Sequence, residues 1–170
     1  MAVSLTVLSA RFGIPRLRAE LRAFQAVLAR AGGVPDLLVV LVDANDVGFS
    51  ARRQEVEDQL DMSLLPAAVV GVPDPYVERW MLADPDSFAS LFGVRPEVGR
   101  ARTRSAWKRR LVSALEDAGQ IVTQGGAEFA DEVVEAMDLY RAGRHAPSLD
   151  AFVADLRAAL RRMRATGAAG

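Results

Sequence analysis

Apolar residues fall into two kinds of pattern along this chain. Leu37-Leu38-Val39-Val40-Leu41-Val42 and Ala67-Ala68-Val69-Val70-Gly71-Val72 are continuous apolar runs between turn signals. Runs of that length predict strands buried on both faces of a parallel sheet. Val3-Ser4-Leu5-Thr6-Val7-Leu8 alternates weakly and is rich in β-formers, which predicts an earlier strand. Elsewhere the period is helical. Leu17, Leu21, Phe24 and Leu28 follow Pro15 at helical spacing and stop at Gly32-Gly33, predicting an amphipathic helix. Ser50 is placed to cap a polar helix running through Leu60. The resulting β-α-β-α-β series predicts parallel strands joined by right-handed helical crossovers.

Beyond residue 72 every periodic segment reads as helix. Asp74-Pro75 and Asp84-Pro85 each offer an N-cap carboxylate followed by a proline suited to the first helical position, so a short helix is expected after each. The second should end near Gly93, with Trp80, Met81, Phe88, Leu91 and Phe92 forming the buried faces. A polar segment from Arg95 to Thr103, a loop over the core or a flap, leads to a helix carrying Trp107, Leu111 and Leu115 and closing at Gly119. One further helix is expected to carry Phe129, Val133, Met137 and Tyr140, and the last to start at Ser148 with Leu149, Phe152, Leu156 and Leu160. In that last helix Asp150 and Asp155 come early and Arg157, Arg161, Arg162 and Arg164 late, as the helix dipole favours. Thr166 to Gly170 are expected to fray. The predicted class is α/β with a short, mostly parallel sheet. Residues 1–94 form its core, and residues 95–170 a helical extension packed on it as one unit.

Composition narrows the chemistry. A chain of 170 residues, 51% hydrophobic, is sized for one domain with its own core. The formal charge of −1 gives no global footprint for nucleic acid, although a local patch stays open. Cysteine is absent and there is a single histidine, which excludes disulfide frameworks, thiolate catalysis and Cys/His zinc sites. Any metal must be held by oxygen. The apolar runs are shorter than the ~20 residues of a membrane span, and no basic segment precedes a hydrophobic core at the N-terminus. The expectation is a soluble, cytoplasmic protein with no membrane partner. Lys108 is the only lysine among many arginines, a compositional bias that weakens any reading of arginine runs as selected for phosphate.

Two acidic clusters follow the two apolar runs directly: Asp43-Ala44-Asn45-Asp46, and Asp74-Pro75-Tyr76-Val77-Glu78-Arg79-Trp80. In open parallel sheets ligands bind beyond the carboxyl ends of the strands, so both clusters belong to the expected functional edge. A carboxylate such as Asp43 at the end of a buried strand is held by backbone donors or neutralised by a cation. Asn45 and Asp46 add oxygen ligands, and Mg²⁺ or Mn²⁺ is the cation class that a few carboxylates and water suit. Glu78, one turn into its helix, is placed to project toward Asp43, and two carboxylates so placed repel unless a metal or a proton lies between them. Paired cations at such a site would suit phosphoryl transfer. The alternatives are equally concrete: Asp43 and Asp46 cap the turn and the next helix, and Glu78 pairs with Arg11, Arg79 or another arginine in a structural salt bridge.

Trp107-Lys108-Arg109-Arg110, preceded by Arg100, Arg102 and Arg104, is the densest basic stretch. It reads either as a phosphate contact through Lys108 with Trp107 stacking, or as a solvated helix face with the tryptophan turned inward. The second is favoured. Gly125-Gly126 is too short a signal for a phosphate loop, and His145, in an interhelical segment, is given no role.

A strand ending in Asp43-Ala44-Asn45, with Gly48 and Arg52-Arg53 after it, and a second strand running into Pro73-Asp74-Pro75-Tyr76-Val77-Glu78-Arg79-Trp80-Met81-Leu82, resembles small bacterial Toprim-like proteins. Relatives of that kind occur beside ATPases in anti-phage defence. The resemblance extends through Lys108-Arg109-Arg110-Leu111 and Ser148-Leu149-Asp150-Ala151-Phe152. It implies a three-layer Rossmann-like fold, Mg²⁺ or Mn²⁺ chelation and nuclease chemistry on nucleic acid beside an ATPase partner. Asp43 would match the first aspartate of the family's Asp-x-Asp pair, with Asn45 in the second position and Asp46 as substitute. Glu78 would match the glutamate of the later motif, which makes Asp43 and Glu78 the expected catalytic residues. The family's acid/base glutamate after the first strand is missing, and Ser9-Ala10-Arg11-Phe12-Gly13 stands there. Arg11 is then expected to bind phosphate, and an inactive regulatory or assembly subunit that docks a protein partner is the alternative. Oligomeric state is open.

Overall fold

The computed structural model describes Thr6 and residues 14–99, 101 and 103–167. The expected strand at Val3–Leu8 and Arg11 lie outside the described residues. Helix α1 spans Ile14–Ala31, and the chain then enters strand β1, Leu38–Leu41. A single 3-10 turn, Asn45–Val47, leads to α2, Phe49–Glu57, and then to β2, Ala68–Gly71. The remainder is helical: α3 (Val77–Met81), α4 (Pro85–Phe92), α5 (Arg104–Asp117), α6 (Ala130–Ala136), α7 (Leu139–His145) and α8 (Pro147–Gly167).

The apolar runs pair as expected. β1 and β2 are parallel, with Leu38 opposite Ala68, Val39 opposite Val69, Val40 opposite Val70 and Leu41 opposite Gly71. Among the described residues the sheet has these two strands, joined through α2. Residues alternate between faces along a strand, so Val40 and Val70 share one face, where they are buried with Leu21 of α1 and Val56 of α2. The opposite face of β2 receives α8. A Cβ on Gly71 would overlap Leu41 and come within 2.8 Å of the Phe152 ring, so glycine is what lets α8 close on the strand. Helices thus cover the sheet from both sides.

The helical half does not pack as a separate body. Tyr76, Met81, Leu82 and Phe88 are buried in one cluster with Trp107, Leu111, Leu115 and Val133. A second cluster joins Trp80 and Ala83 to Ala142, Ala146 and Leu149. There Trp80 stacks on Phe152 with centroids 5.4 Å apart and donates its indole N–H to Ser148 Oγ at 2.9 Å.

Several local expectations need correction. α2 is capped by Gly48, whose φ of 83° suits glycine, and Ser50 lies inside the first turn with no capping bond. Asp74 does not cap α3; Tyr76 precedes that helix in extended conformation, and its first amide is met from another loop. Asp84 does cap α4, accepting from the Ser87 amide, and Gly93 ends it in the left-handed conformation. The single helix expected over Phe129 to Tyr140 is a 3-10 turn, Ala127–Phe129, followed by α6 and α7. The break falls at Met137, with ψ of 129°, because Asp138 turns its carboxylate onto the amides of Tyr140 and Arg141 and starts a new helix. Tyr140 consequently points outward, 77% exposed, and Leu91 and Leu160 are also exposed rather than core.

Candidate functional site

Backbone hydrogen bonds tie the two strand ends together past the last paired residues. Val42 donates to the Gly71 carbonyl at 3.1 Å, Ala44 to Pro73 at 2.8 Å and Asn45 to Pro75 at 3.0 Å. Asn45 adopts φ of 52°, a left-handed conformation that asparagine tolerates, and its side-chain amide donates to the Asp43 carbonyl at 3.3 Å. This clamp carries the Asp43 carboxylate to the start of α3, where Oδ1 accepts the Val77 amide at 3.0 Å. Asp43 therefore does for α3 what a local N-cap would do, at the positive end of the helix.

Glu78, the next residue of α3, is 7% exposed. Its Oε2 is enclosed and has no hydrogen-bond partner among the described residues. Arg79, the arginine beside it, is committed elsewhere, donating to the carbonyls of Asp74 at 2.7 Å and His145 at 3.1 Å. Of the alternative pairings of Glu78, the one with Arg79 is therefore not formed. The outer oxygen of Asp43, Oδ2, lies 3.8 Å from an Arg104 guanidinium nitrogen at the first residue of α5.

Burial is the main influence on Asp43 and pushes its carboxyl up. The Val77 amide and the Arg104 charge pull it down, the neighbouring charge of Glu78 pushes it up, and the net direction is upward. The two carboxylates thus work against each other at one edge, with Arg104 the cation beside them.

The other sequence candidates are placed apart. Asp46 is exposed on the 3-10 turn. Among the described residues no group of three or more His, Asp or Glu side chains converges as a metal cluster. Lys108 is exposed on α5 and leans over Gly125, where an added Cβ would lie 2.7 Å from its ammonium nitrogen. The loop beneath it is already occupied by its own anion: Glu128 accepts the amides of Thr123 at 2.5 Å and Gln124 at 2.8 Å. The Gln124 amide foremost, with that of Thr123, lowers the Glu128 carboxyl to about 2. Trp107 is buried, donates to the Ala101 carbonyl at 3.0 Å and carries the Arg110 guanidinium over its ring, so it offers no stacking face. His145 belongs to the last turn of α7, and its Nδ1 bonds the Ala83 carbonyl at 2.9 Å.

Sequence reasoning missed Arg104 as a member of this corner. The available signal was its position just after Thr103, the N-cap of α5, where no acidic residue accompanies it in the first turn.

Glu78, buried, and Asp43, half-buried, with one oxygen lacking a donor among the described residues, can accept a hard cation, since Mg²⁺ is commonly held by one or two carboxylates while water and phosphate oxygens complete its shell. No known protein family matches the chain, and neither curated proteins nor solved structures show a significant similarity to it.

Proposed function

We propose that the chain is a Toprim-like, Rossmann-like subunit that binds one Mg²⁺ or Mn²⁺ at Asp43 and Glu78 and acts on nucleic-acid phosphodiesters as a nuclease partner of an ATPase. The observation that carries the reading is the Glu78 Oε2 atom, enclosed and without a partner among the described residues at the carboxyl edge of a parallel sheet. A buried carboxylate oxygen without a donor is costly, and a cation removes that cost. Asp43 Oδ2 and Glu78 would hold such an ion, their charges already acting on one another, while Asp46 is exposed on the 3-10 turn and Asn45 acts by fixing the Asp43 loop. The chemistry the ion supplies when bound is charge neutralisation at a phosphate and activation of water. The chain's own contribution is to hold both carboxylates rigidly: Asp43 through the Val77 amide, Glu78 through burial in α3. Helices on both sheet faces support the three-layer architecture. The ATPase partner rests on the resemblance of the Asp43 and Glu78 motifs alone.

A second reading, an inactive regulatory or assembly subunit, is favoured by one observation: Asp43 Oδ1 already serves as the cap of α3, a structural role that needs no cation. Cleavage of single-stranded DNA and RNA with Mn²⁺, by wild type, Asp43→Asn and Glu78→Gln, separates the two. Metal-dependent cleavage lost in both folded variants is the expected result. Cleavage equal in all three proteins refutes the assignment of these residues, and Mn²⁺ binding without cleavage selects the second reading.

A further inference from the structure

We propose that Arg104 is the phosphate-contacting residue of the Asp43–Glu78 corner, serving as the counter-ion of Asp43 until a cation binds and then taking a phosphodiester. The inference rests on the cation reading above and goes beyond it by assigning the anion's partner.

Three features of Arg104 carry it. First, its contact with Asp43 is loose: the nitrogen lies 3.8 Å from Oδ2, beyond hydrogen-bond distance, and the side chain is 66% exposed. A guanidinium so placed is free to turn without breaking a packed contact. Second, Arg104 opens α5, a helix of 14 residues with no acid in its first turn. A cation there works against the helix dipole, so its position is unfavourable for the helix and favourable for an anion bound in front of it. Third, Asp43 and Glu78 together carry more negative charge than one arginine offsets, and Glu78 Oε2 has no donor among the described residues. A divalent ion answers that excess and makes the arginine surplus. The surplus guanidinium then faces outward beside the ion, with a planar fork suited to two phosphate oxygens.

Arg104 should consequently act with opposite signs on two ligands, which a merely structural arginine does not do. Mn²⁺ binding is measured by electron paramagnetic resonance of the free ion, with and without the phosphodiester dinucleotide dTpdT, on wild type, Arg104→Gln and Arg104→Lys. Arg104→Gln is expected to bind Mn²⁺ alone about threefold more tightly, because a competing positive charge is gone. The strengthening of Mn²⁺ binding by dTpdT should fall by about tenfold in the same variant, the scale of a lost charge-assisted contact. Arg104→Lys keeps the competing charge and loses the fork, so it should match wild type for Mn²⁺ alone and still lose most of the dTpdT effect. Wild-type behaviour of Arg104→Gln in both measurements overturns the inference, as does the absence of any dTpdT effect in wild type. Mn²⁺ affinity left unchanged by Asp43→Asn and Glu78→Gln, or absent from wild type, instead removes the cation site itself.

Discussion

Asp84 and Glu78 are carboxylates in adjacent helical segments, 2% and 7% exposed, yet their surroundings are opposite. Asp84 accepts from the amides of Ser87 at 3.3 Å and Asp138 at 2.8 Å, and from Arg141 through Nε at 3.2 Å and a terminal nitrogen at 3.0 Å. Burial pushes its carboxyl up, but the Arg141, Ser87 and Asp138 bonds outweigh burial and hold it well below the usual carboxylate range. That charge is a joint: it fixes the start of α4, the break before α7 and the Arg141 side chain together. Glu78 sits as deep, one helix earlier, with Oε2 unpartnered among the described residues. Buried polar groups are normally satisfied, and the exceptions concentrate where function requires them. The satisfied carboxylate is read as structure, the unsatisfied one as a binding position.

Substitution should separate the two by sign. Asp84→Ala strands two backbone amides and removes two of the Arg141 hydrogen bonds, leaving Arg141 its pair with Asp138, and is expected to lower unfolding free energy by about 3 kcal/mol in urea titration. Acid should act on the same joint. The folded-state value of Asp84 lies below its unfolded one, so its contribution is complete above the ordinary value near ~4 and is lost as pH falls below it. Asp84→Asn should flatten that part of the pH profile. Glu78→Gln keeps the shape and removes a buried carboxylate that has no donor for Oε2 among the described residues, so its stability at pH 7 should equal or exceed that of wild type by up to about 1 kcal/mol. A loss as large as that of Asp84→Ala would erase the contrast.

Asp43 stands between the two cases, with one oxygen bonded and the other facing Arg104. Asp43→Ala removes the acceptor for Val77 and should cost about 1 kcal/mol, whereas Asp43→Asn keeps an acceptor and should cost less. The folded-state value of Asp43 is raised, so its ionisation opposes folding. The cost of Asp43→Asn should therefore be smallest at pH 7 and grow as pH falls from the raised folded-state value toward the ordinary one, the reverse of the Asp84 dependence.

What the sequence made legible was local. The spacing of Leu17, Leu21, Phe24 and Leu28 marks α1, the two apolar runs mark the parallel strands, and Asp84-Pro85 marks the start of α4. Met137 and Tyr140 continue the phase of Phe129 and Val133, so periodicity alone joins α6 to α7. The break comes from Asp138 and from Asp84 across the fold. The same limit applied at the site. Asp43 and Glu78 could be singled out from their places after apolar runs, whereas the Asp43 bond to Val77, 34 positions away, and the approach of Arg104 are products of packing. Residues placed outside by the structure, Asp46 above all, look equivalent to Asp43 in sequence because turns favour both.

Glu78 Oε2, without a donor among the described residues, and the outer oxygen of Asp43 are proposed to share a cation. The most direct test is the melting temperature with and without saturating Mn²⁺ for wild type, Asp43→Asn and Glu78→Gln. Binding to the folded state alone stabilises by about 2.7 kcal/mol at a hundredfold excess over Kd. Melting should rise by several degrees in wild type and not at all in either variant. No rise in wild type, or the same rise in all three, contradicts a shared cation.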